Sequence, residues 1–220
     1  MPTKKQEKNA VLQELIQPEA LWRREGAVLR LEASLPCLPG CRRFSAYYAR
    51  LYRALGRFCR DILLPRLPEA AAPVTMCLGH TAHRAAPDLL QVTCTLSCAG
   101  SALWRGAALW DTKIGFPLPL RSFFPGVRLL RARLSRQLLA EMDRRTGRGE
   151  AVYYADAARR VRRNLDMERY QLTPSGILLF FPLDCLGPLS EGLVEFLLPW
   201  DALGPDKPRK PACVSETDVL

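Results

Sequence analysis

The stretch YQLTPSGILLFFPLDCLGP, residues 170–188, decides the predicted fold of this chain. Within it, TPSG fits a type I turn whose final glycine, Gly176, adopts a left-handed conformation. The turn predicts a hairpin between a strand at 168–172 and a strand at 177–181. The second strand has five consecutive apolar residues, which cannot alternate between core and water, so we expect both of its faces to be covered. Pro182 then ends the strand, because proline cannot donate to a central ladder.

The rest of the chain predicts an α+β fold, with a mixed or antiparallel sheet covered by two amphipathic helices. The further strands expected are 27–34, 74–83, 89–98, 103–112 and 193–198. The first helix, 42–64, has an apolar arc made of Phe44, Tyr47, Tyr48, Leu51, Leu55, Phe58 and Ile62. The second helix, 126–145, has an apolar stripe of Val127, Leu130, Leu134 and Leu138, with Arg133, Arg136 and Arg144 opposite. A short third helix is expected near 156–165.

The predicted domain organisation is simple. Residues 1–25 are interpreted as a loose, partly helical lead-in, and 26–203 as one domain with halves at 26–150 and 151–203. The proline-rich segment 204–220 is predicted to be a disordered tail. No run of 18 apolar residues predicts a membrane span, and no apolar stretch of signal-peptide length follows the basic N-terminus. These observations predict a cytoplasmic protein.

Charge is the main compositional signal, with 32 basic and 22 acidic side chains and a net charge of +10. On the first helix, Arg50, Arg53, Arg57 and Arg60 lie opposite the apolar arc, and we predict them as partner-binding residues. A basic face that is merely solvated is the alternative. Such a face could hold phosphate by counterion release. However, the helix's aromatic residues point inward and no nucleic-acid-binding motif is present, which disfavours nucleic acid.

The cysteines are interpreted as free and structural. Cys94 and Cys98 fall on the apolar face of the strand 89–98, where a thiol behaves as a small hydrophobic group. The pairs Cys37/Cys41 and Cys94/Cys98, together with His80 and His83, lack the close spacing typical of zinc ligands. We therefore predict no metal site and no cofactor.

The segment that begins at Tyr170 also resembles a known family. YQLTPSGILLFFPLDCLGPLSEGLVEFLLPWDAL is similar to the C-terminal domain of the lysozyme-sensing anti-sigma-V factor RsiV, also found in certain peptidoglycan deacetylases. The matching positions are Leu172-Thr173, Gly176, Phe180-Phe181, Pro188, Gly192, Glu195-Phe196 and Pro199-Trp200. Upstream, LRLEASLP and WDTKIGFPLPLRSFF resemble the companion N-terminal half, so the RsiV-like resemblance covers about 26–203. CAGSALWRGAALWD lacks the histidine of the relatives' Gly-Gly-Ala-His motif, and no role of that motif is transferred.

The resemblance implies a non-catalytic binding or regulatory module, since the domain binds in the anti-sigma factor and is accessory in the deacetylases. No nucleophile elbow, phosphate-cradling loop or His-Glu-x-x-His motif appears, so no catalytic residue is predicted and the chain is not expected to be an enzyme. A cryptic enzyme and a basic nucleic-acid-associated protein stay open as alternatives. The expected partner is an unidentified protein. Lysozyme is disfavoured because it is basic, as this chain is.

Overall fold

The structure is a computed structural model that describes residues 12–69, 72–124 and 128–203. It divides into two compact units, Met1–Leu78 and Gly79–Leu220. The described residues form a seven-stranded, mostly antiparallel sheet, a three-stranded sheet and three α-helices. The predicted α+β class is therefore confirmed. The predicted boundaries at 26, 150 and 203 stay a prediction, and the predicted tail at 204–220 lies outside the described residues.

In the first unit, strand β3 (Ala27–Cys37) is the strand on which its neighbours assemble. β1 (Gln13–Ile16) and β2 (Ala20–Arg24) both pair with it in antiparallel fashion, and the first residues of β4 (Val74–Ala86) pair with it in parallel. Over residues 13–24, the interpretation of the N-terminal lead-in as loose and partly helical was wrong; residues 1–11 lie outside the described part of the chain. The backbone N–H and C=O groups of β3 need partners, and these two short strands supply them.

Helix α1 (Arg42–Phe58) confirms the first predicted helix, but its end differs from the prediction. A π-helical turn, Cys59–Leu63, follows it directly. Cys59 and Leu63 are buried, whereas Ile62 is 43% exposed. The predicted place of Ile62 on the apolar arc was wrong, because the buried series continues at four-residue spacing from Leu55 through Cys59 to Leu63.

The second unit contains the hairpin of β5 (Leu89–Cys98) and β6 (Ser101–Asp111), whose register shifts between Leu96 and Ser97. β7 (Phe116–Leu118) pairs with the end of β6. β7 was not predicted, because its central proline marked the segment as broken. Proline is tolerated there because β7 ends the strand order of the sheet.

The three-stranded sheet contains the quoted stretch. β8 (Tyr170–Leu172), β9 (Gly176–Phe181) and β10 (Val194–Pro199) are antiparallel in the order β10-β9-β8. The predicted hairpin and its third strand are confirmed, and in β9 only Leu178 is less than fully buried.

Helices α2 (Leu130–Gly147) and α3 (Ala157–Asn164) share a hydrophobic core with this sheet. The predicted stripe on α2 is confirmed at the described positions, and Val127 lies outside them. The core residues contributed by the two helices are Leu130, Leu134, Leu138, Met142, Ala157 and Val161.

The turn before β9 is present, but its glycine has a different role from the predicted one. Gly176 does not have a positive φ. A Cβ at this position would lie 2.1 Å from the backbone oxygen of Leu198. Glycine is required here because β10 approaches the backbone too closely for any side chain.

A buried polar side chain closes the outer edge of β8. Gln91, on β5, is fully buried. Its Nε2 donates to the Tyr170 oxygen at 3.4 Å, and its Oε1 accepts from the Leu172 nitrogen at 3.3 Å. The amide thus binds two residues of β8 that are two positions apart, as a neighbouring antiparallel strand would. The sequence pattern placed Cys94 on the apolar face of this strand, and Gln91, three residues before it, was therefore expected on the opposite, polar face; that expectation was wrong.

Candidate binding surfaces

The basic face of α1 is made of three exposed arginines, Arg50, Arg53 and Arg57, at helical spacing. The Arg50 Nε donates to the Ala46 oxygen at 3.3 Å, and the Arg53 Nε donates to the Ala49 oxygen at 3.3 Å. Each of these bonds uses one of the five N–H donors of a guanidinium group. These hydrogen bonds hold the Nε atom of each side chain against the helix backbone.

Arg60, the fourth predicted partner-binding residue, differs from the other three. It lies in the π turn and its Nε and Nη2 donate to the two oxygens of Asp61 at 2.7 and 3.1 Å. The bond from Arg60 lowers the pKa of the Asp61 carboxyl, so both groups are charged at neutral pH. The pair is exposed, and such surface pairs exchange partners at little cost in free energy.

The cysteines and histidines do not assemble into a site. Cys94 is buried as predicted, and burial raises the pKa of its thiol to about 12. Cys98 is only partly buried, contrary to the prediction, since it follows the register shift in β5 that interrupts the alternation of faces. His80 and His83 both lie on β4. No group of three or more potential ligands close enough for a metal ion occurs within 12–69, 72–124 and 128–203.

A cleft of about 480 Å³ lies beside α3 in the second unit. Its wall combines one face of that helix with the segment after β9, and it is rich in arginine. The lining residues are Asp156, Arg159, Arg160, Arg163, Asn164, Pro182 and Cys185. Three guanidinium groups face a single carboxylate in this set, so the cleft is positively charged.

Arg160 is held firmly at the edge of this cleft. Its Nε donates to Asp156 Oδ1 at 2.7 Å and its Nη1 donates to the Cys185 oxygen at 3.3 Å. Its guanidinium carbon lies 4.5 Å from the centre of the Tyr154 ring. The Tyr154 hydroxyl in turn donates to Asp184. Arg159 and Arg163, one turn apart on α3, are exposed.

The sequence reading missed this cleft. The sequence had predicted only a short helix near 156–165 in this part of the chain. Pro182 and Cys185 come from the loop after β9, about 20 residues further along the chain. The one sequence signal available was the i, i+4 spacing of Arg159 and Arg163, which places both on one side of a helix.

Comparisons with known proteins give similarity at the level of solved structures. No known sequence family matches the chain, and a search among curated proteins finds no match. One similar structure is a DUF3298 family protein from Pseudomonas aeruginosa PAO1, at 16% identity and a TM-score of 0.49 over 90% of this chain and 95% of that one. Another is a DUF3298 member from Bacteroides fragilis, at 13% identity and a TM-score of 0.49 over 87% and 92% of the two chains.

Across the described ranges, the helices are too short or too polar to span a lipid bilayer.

Proposed function

We propose that this chain is a non-catalytic binding or regulatory module of the RsiV-like type, which binds an acidic protein partner through the basic face of α1. The observation that carries the proposal is the exposed row of Arg50, Arg53 and Arg57. Guanidinium groups bind carboxylates through two parallel hydrogen bonds, which adds geometric selectivity to charge attraction. Arg60 extends the row when a partner's carboxylate replaces Asp61.

A protein partner fits this face better than a nucleic acid does. Proteins that bind single strands stack bases on exposed aromatic rings. In α1, Phe44 and Tyr48 are buried, and their ring centres lie 4.7 Å apart. Tyr47 packs edge-on against Tyr48 at 5.0 Å. These rings stabilise the helix and leave only charge on the outer face.

Three titratable groups with shifted pKa values, Cys59, Tyr170 and Glu141, are not among the residues that line the cleft, which supports a non-catalytic role. Burial alone raises the pKa of Cys59 to about 12, and burial likewise raises the pKa of Tyr170. The pKa of Glu141 is lowered to about 2, chiefly by a hydrogen bond from Arg144. Each of these shifts has a cause in packing or in local ion pairing. Catalytic groups, by contrast, combine a shifted pKa with a position in a cleft.

The proposal keeps the predicted cytoplasmic location and an intracellular partner. Lysozyme is not the proposed partner, because like charges across an interface raise the free energy of the complex. Titration calorimetry against a C-type lysozyme at about 150 mM salt checks this point, since screening there already limits repulsion to about 8 Å. We expect no binding heat. Saturable micromolar binding would contradict the expectation and favour a sensor role.

The test of the main proposal begins with capture of partners from the native host's cytosol, with and without nuclease, and identification by mass spectrometry. Affinities are then measured with the purified partner. The double variant Arg50→Gln/Arg53→Gln should bind it at least about tenfold more weakly, the loss of about 1.4 kcal/mol. The charge-matched control Arg121→Gln/Arg136→Gln removes exposed arginines from other elements and should bind like the wild type.

Two outcomes would overturn the proposal. Equal weakening in both double variants would show that net charge, and not the face of α1, governs binding. Loss of all captured material after nuclease treatment, with an affinity that falls steeply as salt rises, would favour the nucleic-acid alternative.

A further inference from the structure

We propose that the cleft beside α3 binds an organic phosphate monoester, with Arg159, Arg160 and Arg163 as the residues that hold its phosphate group. This second site belongs to the second unit and does not depend on the partner proposed for α1. Its ligand class follows from the charge, the fixed geometry and the size of the cleft.

Charge selects for a dianion. The lining contains three arginines and one aspartate, and that aspartate, Asp156, already accepts a hydrogen bond from Arg160. Two guanidinium groups, those of Arg159 and Arg163, therefore add positive charge beyond the ion pair. A phosphate monoester carries close to two negative charges at neutral pH and three acceptor oxygens. A single carboxylate would neutralise only half of the excess charge.

Arg160 supplies a preformed donor. Because the guanidinium group is planar and rigid, fixing its Nε on Asp156 and its Nη1 on the Cys185 oxygen also fixes the direction of Nη2. Stacking on Tyr154 holds the plane from one side. An orientation fixed before binding lowers the entropy that the ligand must overcome. Arg159 and Arg163 are exposed and can close around the bound anion.

The helix end near the cleft is also held in place. The Arg131 Nη2 donates to the backbone oxygen of Arg162 at 2.9 Å and to that of Arg163 at 3.4 Å. These bonds satisfy carbonyls in the last turn of α3, which have no partner within the helix. The backbone that carries Arg163 is therefore anchored while its side chain stays accessible.

The size of the cleft indicates an ester and not the bare ion. A volume of about 480 Å³ lies within the range of small-molecule sites, which extends from about 300 to 1,000 Å³. Inorganic phosphate would fill only part of it. Pro182 and the partly buried Cys185 supply a less polar wall for the organic part. Burial raises the pKa of the Cys185 thiol, which keeps it neutral beside the anion.

Phenyl phosphate is a suitable probe, compared with inorganic phosphate and with benzoate. Binding is followed by titration calorimetry at a constant ionic strength of about 150 mM, where non-specific attraction is screened. The cleft variant Arg159→Gln/Arg163→Gln should bind phenyl phosphate at least tenfold more weakly than the wild type does. Arg121→Gln/Arg136→Gln removes the same net charge from exposed positions outside the cleft lining and should bind it as the wild type does. Circular dichroism and thermal unfolding check that both variants are folded.

A third variant separates geometry from charge. Arg159→Lys/Arg163→Lys keeps both charges but loses the planar fork, so its affinity for phenyl phosphate should lie between those of the wild type and the glutamine variant. Absence of binding to the wild-type protein, or equal weakening in the cleft variant and in Arg121→Gln/Arg136→Gln, would overturn the proposal. Benzoate binding as tight as that of phenyl phosphate would overturn the choice of ligand class.

Discussion

The three-stranded sheet and the basic face of α1 differ in what holds their residues in place. In the sheet, Gly176 lies against the backbone of Leu198, and no side chain fits between them. On α1, Arg50 and Arg53 lie in solvent and bond only locally, to carbonyls one turn back. Stability therefore depends on the fit of the first region, while the proposed binding uses the charges of the second. Substitutions in the two regions should separate these two properties.

The largest expected effect is that of Gly176→Val. Its Cβ would meet Leu198 O at 2.1 Å and Pro199 Cα at 2.9 Å, and these backbone atoms cannot move without disrupting the pairing of β9 with β10. We expect the free energy of unfolding to fall by about 3 kcal/mol or more, at the upper end of overpacking costs. Urea denaturation measures it. Gly79→Val is the control, because nothing lies within 4 Å of a Cβ there. Equal stability of Gly176→Val and the wild type would contradict the close approach of the strands.

The second effect is that of Gln91→Leu. The substitution keeps the volume but leaves the Tyr170 oxygen and the Leu172 nitrogen without the bonds of the amide. Burying two unsatisfied polar groups should lower the free energy of unfolding by about 2–4 kcal/mol. Gln171→Leu, in β8 itself, is the matched control and should cost less than about 1 kcal/mol because its side chain is only partly buried. A Gln91→Leu variant as stable as that control would show that the amide bonds contribute little.

A smaller effect is the expected difference in reactivity between the two thiols of β5. Cys94 is buried and its thiol has a pKa of about 12, whereas Cys98 is partly exposed. Because the thiolate is the reactive form, a thiol reagent should label Cys98 in the native protein and Cys94 only after denaturant is added. Mass spectrometry of digested samples assigns the labelled residue. Rapid native labelling of Cys94 would show that β5 opens locally.

The smallest effect expected is that of Glu141 on the pH dependence of stability. Hydrogen bonds from Arg144 and Arg145 lower its pKa from 4.5 to about 2. A lowered pKa in the folded state adds stability that is present above about pH 4.5 and is lost as the pH falls towards 2. Screening by solvent keeps the contribution below about 1 kcal/mol. The difference in unfolding free energy between the wild type and Glu141→Gln should therefore shrink on acidification. A difference that grew on acidification would contradict the lowered pKa of Glu141 in the folded state.

Local patterns predicted the parts of the fold that depend on neighbours in sequence. The hairpin before Pro182 follows from a turn and an apolar run, and the burial of Leu134 and Leu138 follows from helical periodicity. β1 and β2 could not be predicted in this way. All four residues of β1 are exposed, so no apolar alternation marks it, and its place depends on pairing with β3.

The candidate sites differ in the same way, since one depends on local sequence and the other on contacts made by the fold. The face of α1 is a property of one helix, so its arginines could be chosen from spacing alone. The pairing of Arg60 with Asp61 depends on side-chain positions in the π turn, which spacing does not give. The α3 cleft needs Cys185, which the fold of β9 and its following loop brings to the helix. Gly176 is a third case. The sequence predicted that a glycine is needed at this position, but the cause is the close approach of Leu198 and not a left-handed conformation.

The amide of Gln91 also determines whether the outer edge of β8 is open to another chain. An open strand edge presents unpaired N–H and C=O groups that can template pairing with another chain. On β8 that edge is occupied by a side chain of the same molecule. Unlike an added β-strand, this side chain offers no new row of backbone N–H and C=O groups with which a second molecule could pair. The buried glutamine thereby closes the β8 edge of the three-stranded sheet to pairing with another chain.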